Sequence, residues 1–409
     1  MSTRREFLQG SLWGTAAALA GPPGAEAVSP AGVGSHIGSL FPFVESQAVA
    51  GELPLSFLRP EFDDLAAWKR QARGRLLELL HYAPDRTDLR AETVERVDRG
   101  GYVQEKVYFN TTPDIRVPAC VLLPKNARGR APALVALHDH GGFYLWGKEK
   151  LVESDGEHAV LTKFKQQYYG GRSIASELAR AGYVVVVIDM FYWGERRMLL
   201  ADDPPDWRER PPALTAERIA AFNRRASENE QLLARTIYAA GFTWAGVMYW
   251  DDIRTVDYLA SRPEVDPARI GCLGLSMGGL RTIHLAALDD RIKAAVAVGW
   301  MTSFPPQLER HVRNTIGFTK LVPGLYRHLD YPDVASLAAP TPLLVINGSQ
   351  DALFAPAGVQ ASFEKLAACY LKAGAPDNVK TRLYDAPHEF NLEMQAEAWA
   401  WLAKHLAMK

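Results

Sequence analysis

Residues 272–281 read CLGLSMGGLR and place Ser276 between Gly274 and Gly278, directly after an apolar run. A serine hydroxyl attacks a carbonyl only when a base takes its proton and a third group orients that base. The G-x-S-x-G spacing answers a steric need. Where a buried strand turns sharply into a helix, the two backbones approach too closely for Cβ atoms on either side of the serine. The run RIGCLGL before it and the amphipathic MGGLRTIHLAAL after it supply that strand and that helix. Such a turn would lift the Ser276 hydroxyl clear of the sheet and aim the Met277 N–H at a developing oxyanion. In isolation the same letters also describe an ordinary glycine-bearing turn, and it is the strand–helix context that favours the nucleophile.

The base and its orienting acid must come from later strand ends. Asp351, in LLVINGSQDALFAP, follows the penultimate apolar run, and His388, in YDAPHEFN, follows the last strand and precedes the C-terminal helix. The order Ser276, Asp351, His388 is one of the known triad orders. Singly, Asp351 also reads as a helix cap and His388 as a surface turn residue. A second oxyanion donor is expected from the loop in LVALHDHGGFY, with His140 favoured and Gly141 next. Asp139 stands there where a glycine is usual. The same loop carries the rival reading, because His138-x-His140 beside an aspartate is how a metal-dependent hydrolase begins. No H-E-x-x-H and no wider histidine cluster accompanies it.

These residues need a scaffold that gathers strand ends at one rim. APALVALHDH, YVVVVIDM, RIGCLGLS, IKAAVAVGW and TPLLVINGSQD are short, nearly continuous apolar runs, the mark of strands buried on both faces of a parallel sheet. Amphipathic segments such as SIASELARAG and GVQASFEKLAACYLKAG lie between them. Ahead of this region, ETVERVD, YVQEKVYFN and VPACVLLP read as strands, the second with the alternation of a half-covered antiparallel edge. Earlier still, Phe62, Leu65, Trp68, Ala72, Leu76 and Leu79 recur at helical spacing. The chain therefore divides into a linker and helical segment over 28–90 and an α/β domain over 91–409, with a central sheet of about eight strands. Two aromatic- and proline-rich stretches, at about 191–250 and 301–336, break the βα rhythm. They follow strand ends and are expected to cover the site. Within and beside them, Tyr144, Trp193 and Trp300 are candidates to stack on a sugar ring, or equally to bury area under the inserts. Arg196 and Arg197 are candidates to hold a substrate carboxylate, or to pair with local acids such as Glu195.

Composition bounds the partners. Across 409 residues, 46 Lys plus Arg stand against 47 Asp plus Glu, so no global field favours nucleic acid or an anionic membrane. No apolar stretch is long enough to span a bilayer. The first 27 residues pair Arg4 and Arg5 ahead of a small-residue apolar run and an Ala25-x-Ala27 site, the pattern of a bacterial twin-arginine export signal. Export machinery during transport, and a periplasmic or secreted destination, are the expectation. Cys120, Cys272 and Cys369 sit in apolar contexts and read as buried thiols.

Taken together, LHDHGG, YVVVVIDMFYWGERR, DDIRTVDYLASRPEVDPARIGCLGLSMGG, LLVINGSQD and PHEFN resemble α/β hydrolases of the dienelactone-hydrolase and acetyl-xylan-esterase-like group, over roughly residues 60–409. The resemblance implies an α/β-hydrolase fold and carboxylic ester hydrolysis without a cofactor, often the removal of small acyl groups from sugars. Dienelactone hydrolases proper carry a cysteine where Ser276 stands, so a serine esterase is implied. A peptidase or amidase of the prolyl-oligopeptidase kind shares the fold and triad order, but residues 28–90 are too short for the propeller that class usually carries. A binding protein on an inactive hydrolase fold is the remaining alternative, opposed by the presence of all three triad residues.

Overall fold

The computed structural model describes residues 34–406, so the proposed export signal lies outside the described residues. Nine strands form one sheet: β1 (Glu92–Asp98), β2 (Tyr102–Asn110), β3 (Arg116–Pro124), β4 (Ala131–Leu137), β5 (Val184–Ile188), β6 (Val265–Leu275), β7 (Ile292–Val298), β8 (Leu343–Gly348) and β9 (Val379–Tyr384). Their order is β1-β2-β3-β5-β4-β6-β7-β8-β9. β1, β2, β3 and β5 pair antiparallel in succession, and everything from β5 across to β9 is parallel. The apolar runs explain this division. β4, β5 and the second half of β6 are buried at every position, as strands covered on both faces must be. β1, exposed along nearly its whole length, takes the edge, so β2 is its inner neighbour and not the edge itself.

The helix Met277–Leu288 packs on β4, β6 and β7, while the helix Leu392–His405 packs on β7 and β8. The N-terminal helix, Leu65–Leu80, is capped by Asp64, which accepts the Ala67 N–H at 2.7 Å. It buries Trp68, Ala72, Leu76 and Leu79 as its 3.6-residue pattern requires. The Trp68 indole N–H is satisfied by the Leu55 carbonyl at 2.8 Å. All three cysteines are free and buried. Among the described residues, no helix is long and apolar enough to cross a membrane.

Strand order decides where a site can form. From β4 the chain steps to β5 on one side and then crosses to β6 on the other. The loops leaving the C-terminal ends of β4 and β6 therefore diverge, and a crevice opens between them. Two inserted segments reach toward this crevice. Between β5 and β6 come the helices Pro205–Glu209 and Ala216–Ala239, followed by the crossover helix Trp244–Ser261. Between β7 and β8 the chain forms only short turns of helix, at Val312–Thr315 and Tyr331–Ser336 among them.

Candidate active site

Ser276 stands at the junction of β6 and the helix Met277–Leu288 with φ 58° and ψ −118°, a left-handed backbone that a non-glycine residue adopts at a cost of about 1–3 kcal/mol. The surroundings hold it there. Its N–H donates to the Val298 carbonyl at 2.8 Å, and its own carbonyl accepts the Leu280 N–H at 2.9 Å. The flanking glycines are sterically required. A Cβ on Gly274 would lie 2.5 Å from both the Leu137 oxygen and the Gly278 carbonyl carbon. One on Gly278 would drive into the Leu137 carbonyl, and one on Gly279 would meet the Val298 oxygen at 2.6 Å.

Asp351 follows β8 and His388 follows β9, and tertiary structure brings them into contact: His388 Nδ1 lies 2.5 Å from Asp351 Oδ2. The other Asp351 oxygen accepts the Leu353 N–H at 3.0 Å, which fixes the carboxylate plane. Two further glycines admit the histidine loop. A Cβ on Gly348 would lie 2.6 Å from the Pro387 oxygen, and one on Gly299 would lie 3.1 Å from His388 Cε1. Ser276 and His388 line one cavity of about 530 Å³, together with His140, Gly141, Tyr144 and Trp300. They share it without a direct hydrogen bond between them. A larger hollow of about 690 Å³, lined in part by Leu53, Phe304, Leu308 and Tyr326, does not include Ser276 or His388.

The loop after β4 is built from buried polar contacts. His138 donates from Nδ1 to the Asp139 carbonyl at 2.8 Å and accepts the Met190 N–H at Nε2 at 3.1 Å. Burial, with Lys150 and Arg281 nearby, holds its pKa well below the usual histidine range. His140 accepts the Gly142 N–H at Nδ1 (3.0 Å), so its Nε2–H donates to Glu230 Oε1 (2.9 Å). The lone pair of each ring is thus committed to a backbone N–H, which leaves neither imidazole open as a metal ligand. Asp139, in the place where a glycine is usual, is buried and structural. It accepts the Tyr169 hydroxyl at 2.5 Å and lies 3.3 Å from the Lys150 ammonium. Gly141, at φ 58°, packs so tightly that a Cβ would lie 2.5 Å from Asp139 Oδ2 and 2.7 Å from the Phe164 ring. Among the described residues, the backbone N–H groups of Met277, His140 and Gly141 donate to nothing.

The expected substrate contacts divide. Tyr144 and Trp300 line the cavity, each almost wholly buried. Trp193 does not reach it. Its indole N–H donates to the His140 carbonyl at 3.2 Å, its ring stacks on Tyr144 at 4.9 Å, and no face remains for a sugar. Arg196 is likewise withdrawn, because its guanidinium pairs with buried Asp251 at 2.7 Å and donates to the Asp189 carbonyl. Arg197 binds the Gly194, Trp207 and Arg208 carbonyls. Both arginines stabilise the backbone of the β5–β6 segment, where unsatisfied carbonyls would be costly.

In their place the inserts deliver Glu230, Arg313 and Lys320 to the cavity wall. The Lys320 ammonium sits 5.2 Å above the Trp300 ring and, among the described residues, has no hydrogen-bond or ion-pair partner. Burial lowers its pKa to about 8, with Glu230 opposing that shift. Glu230 left a trace in the sequence: Ile219, Phe222, Ala226, Ala234 and Ile237 form the buried stripe of the helix Ala216–Ala239, and Glu230 falls in phase with it. A carboxylate inside an apolar stripe needs a partner in the interior. Nothing comparable marks Arg313 or Lys320, which sit in a stretch without a regular period.

A mostly parallel sheet of this order, with its serine on a strand–helix turn at the switch point, is an α/β-hydrolase fold. The sequence profile of the dienelactone hydrolase family matches residues 166–398, and that of an abhydrolase family matches residues 47–202. The chain belongs to the dienelactone hydrolase family. YtaP of Bacillus subtilis (strain 168), a hydrolase by name, is 29% identical over 338 residues, spanning 83% of this chain and all of YtaP. Among solved structures, a Bacteroides fragilis NCTC 9343 protein named as an acetyl xylan esterase is similar with a TM-score of 0.65 and 20% identity, covering 84% of this chain and 81% of that one. A glucuronoyl esterase from Solibacter usitatus is similar with a TM-score of 0.60 and 15% identity, covering 88% and 99%. At these identities the likeness is one of fold.

Proposed function

We propose that the chain is a serine carboxylic ester hydrolase that removes small, acetyl-like acyl groups from carbohydrate or other polar esters. The observation that carries this reading is the 2.5 Å hydrogen bond from His388 to Asp351 in the cavity that also receives Ser276 from its strained turn. With Nδ1–H given to the carboxylate, His388 presents Nε2 as a base. As an ester docks, His388 takes the Ser276 proton and Oγ attacks the carbonyl carbon. The resulting oxyanion is met by the Met277 N–H and by the His140 or Gly141 N–H, all three free to donate. Collapse breaks the ester C–O bond, and His388 returns its proton to the departing alcohol. Water then enters with His388 as base, and the acyl group leaves as its acid. Catalytic hydrogen bonds commonly tighten only in the substrate complex, so the open Ser276–His388 pair is compatible with this role.

The alcohol side is read from the wall. Lys320 and Arg313 replace Arg196 as the cations that face a substrate, and an acidic sugar would supply their missing partner. The twin-arginine pattern supports an exported, periplasmic or secreted enzyme. A panel of acetylated sugars, including acetylated glucuronic acid, incubated with the wild type and with Ser276→Ala tests the reading directly. Acetate release by the wild type alone is the expected result, and equal release by both would overturn it. Peptide anilides in the same screen separate esterase from amidase.

A further inference from the structure

The helix Ala216–Ala239 belongs to the segment inserted between β5 and β6, yet it is tied to the loops that follow β4 and β5. Positions 223, 226 and 230 project on the same side at helical spacing. Asn223 Oδ1 accepts the Tyr144 and Leu145 N–H groups at 2.9 and 3.3 Å. The Ala226 carbonyl accepts the Tyr192 hydroxyl at 2.7 Å. Glu230 Oε1 accepts both the Tyr144 hydroxyl and His140 Nε2–H at 2.9 Å.

The last pair has a consequence for the loop. A carboxylate can only accept, so Glu230 obliges His140 to carry its proton on Nε2. Nδ1 is then a lone pair, and it captures the Gly142 N–H at 3.0 Å. The His140 carbonyl is pinned from the other side by the Lys150 ammonium at 3.0 Å and the Trp193 indole at 3.2 Å. With the Gly142 N–H directed onto the ring and the carbonyl held, the N–H groups of His140 and Gly141 are left facing no protein acceptor. Burial pushes the Glu230 carboxyl up, but the His140 and Tyr144 donors and the Lys320 charge outweigh it and hold it below the ordinary carboxylate range.

Resting on the esterase reading above, we infer that Glu230 is a positioning residue: through the His140 ring it sets the oxyanion loop, which makes the inserted helix a working part of the catalytic centre. Without the carboxylate, His140 is free to adopt the other tautomer, whose Nδ1–H cannot accept from Gly142, and the loop loses its preset geometry.

The test compares Glu230→Ala and Glu230→Gln with the wild type on p-nitrophenyl acetate, alongside inhibition by an arylboronic acid that forms a tetrahedral adduct on Ser276. Glu230→Ala is expected to lower kcat by about 10- to 100-fold, less than the full loss of an oxyanion donor, with KM within about threefold. The boronate should weaken by the same factor as kcat. Glu230→Gln keeps an amide oxygen that accepts both donors and should recover most of the loss. A kcat for Glu230→Ala within twofold of wild type, or equal impairment of the two variants, would overturn the inference. Ser276→Ala in the same series separates the two claims: if that variant is also unimpaired, the esterase reading itself has failed.

Discussion

Gly274→Ala tests the close approach on which the geometry of Ser276, the proposed nucleophile, depends. The new methyl would sit 2.5 Å from the Leu137 oxygen and from the Gly278 carbonyl carbon, and 2.7 Å from Gly278 Cα, where ordinary contact begins at 3.4 Å. All three obstacles are backbone, so no side chain can swing away. The β6–helix junction must open by nearly an ångström, carrying Ser276 Oγ and the Met277 N–H with it. Overpacking of this kind costs about 1–3 kcal/mol of stability. A displacement near 1 Å at the reacting atoms costs about 100-fold in rate, or about 2.7 kcal/mol of transition-state stabilisation. Steady-state hydrolysis of p-nitrophenyl acetate, with the thermal midpoint measured on the same protein, reads both. The expected outcome is a folded variant with kcat reduced about 100-fold. A folded Gly274→Ala protein with kcat within twofold of wild type would show that the strand–helix approach does not position the reaction.

Other outcomes follow from the same geometry. Ser276→Ala should lose about a million-fold in turnover and Asp351→Asn about 10,000-fold, the latter because the imidazole loses its tautomer and orientation. Fluorophosphonate labelling that survives Ser276→Ala would point to another nucleophile. Lys320→Met should lower the ratio of efficiency on acetylated glucuronic acid to that on acetylated glucose. In the wild type that ratio should fall as pH rises through about 8, where the ammonium beside Glu230, Trp300 and Arg313 gives up its charge; a flat ratio would remove Lys320 from recognition. His284 is buried against Tyr249 with its pKa lowered to about 4 by burial, so the unfolded chain binds its proton first as pH falls. Stability from this group is complete above about pH 6.5 and declines below it, by about 2 kcal/mol at pH 5. Chemical denaturation of wild type and His284→Gln across that window should show a shallower pH slope in the variant.

The fold was legible because its signals are local. Continuous apolar runs state that a strand is covered on both faces, and the glycines around Ser276 state that two backbones nearly touch. The wall of the cavity was not legible in the same way. Trp193, Arg196 and Arg197 lie in the stretch just after β5, which has no regular period, and an aromatic or an arginine in such a stretch carries no mark of which way it faces. The structure turns them inward to satisfy carbonyls and Asp251. Lys320 and Arg313 were silent for the converse reason, since a cation on an aperiodic stretch looks like any solvated charge.

What the chain's order of residues determined by itself is the set of parts: a buried parallel sheet, a serine at a turn only glycines permit, and an aspartate and a histidine at later strand ends. Meeting distances were decided only by the tertiary structure. Strand order brings residues 351 and 388 together, and an inserted helix presses Glu230 against His140, across separations of 37 and 90 positions. The physical reason is that hydrophobic periodicity encodes which side of an element is buried, whereas hydrogen-bond partners depend on what another element happens to bring to that side.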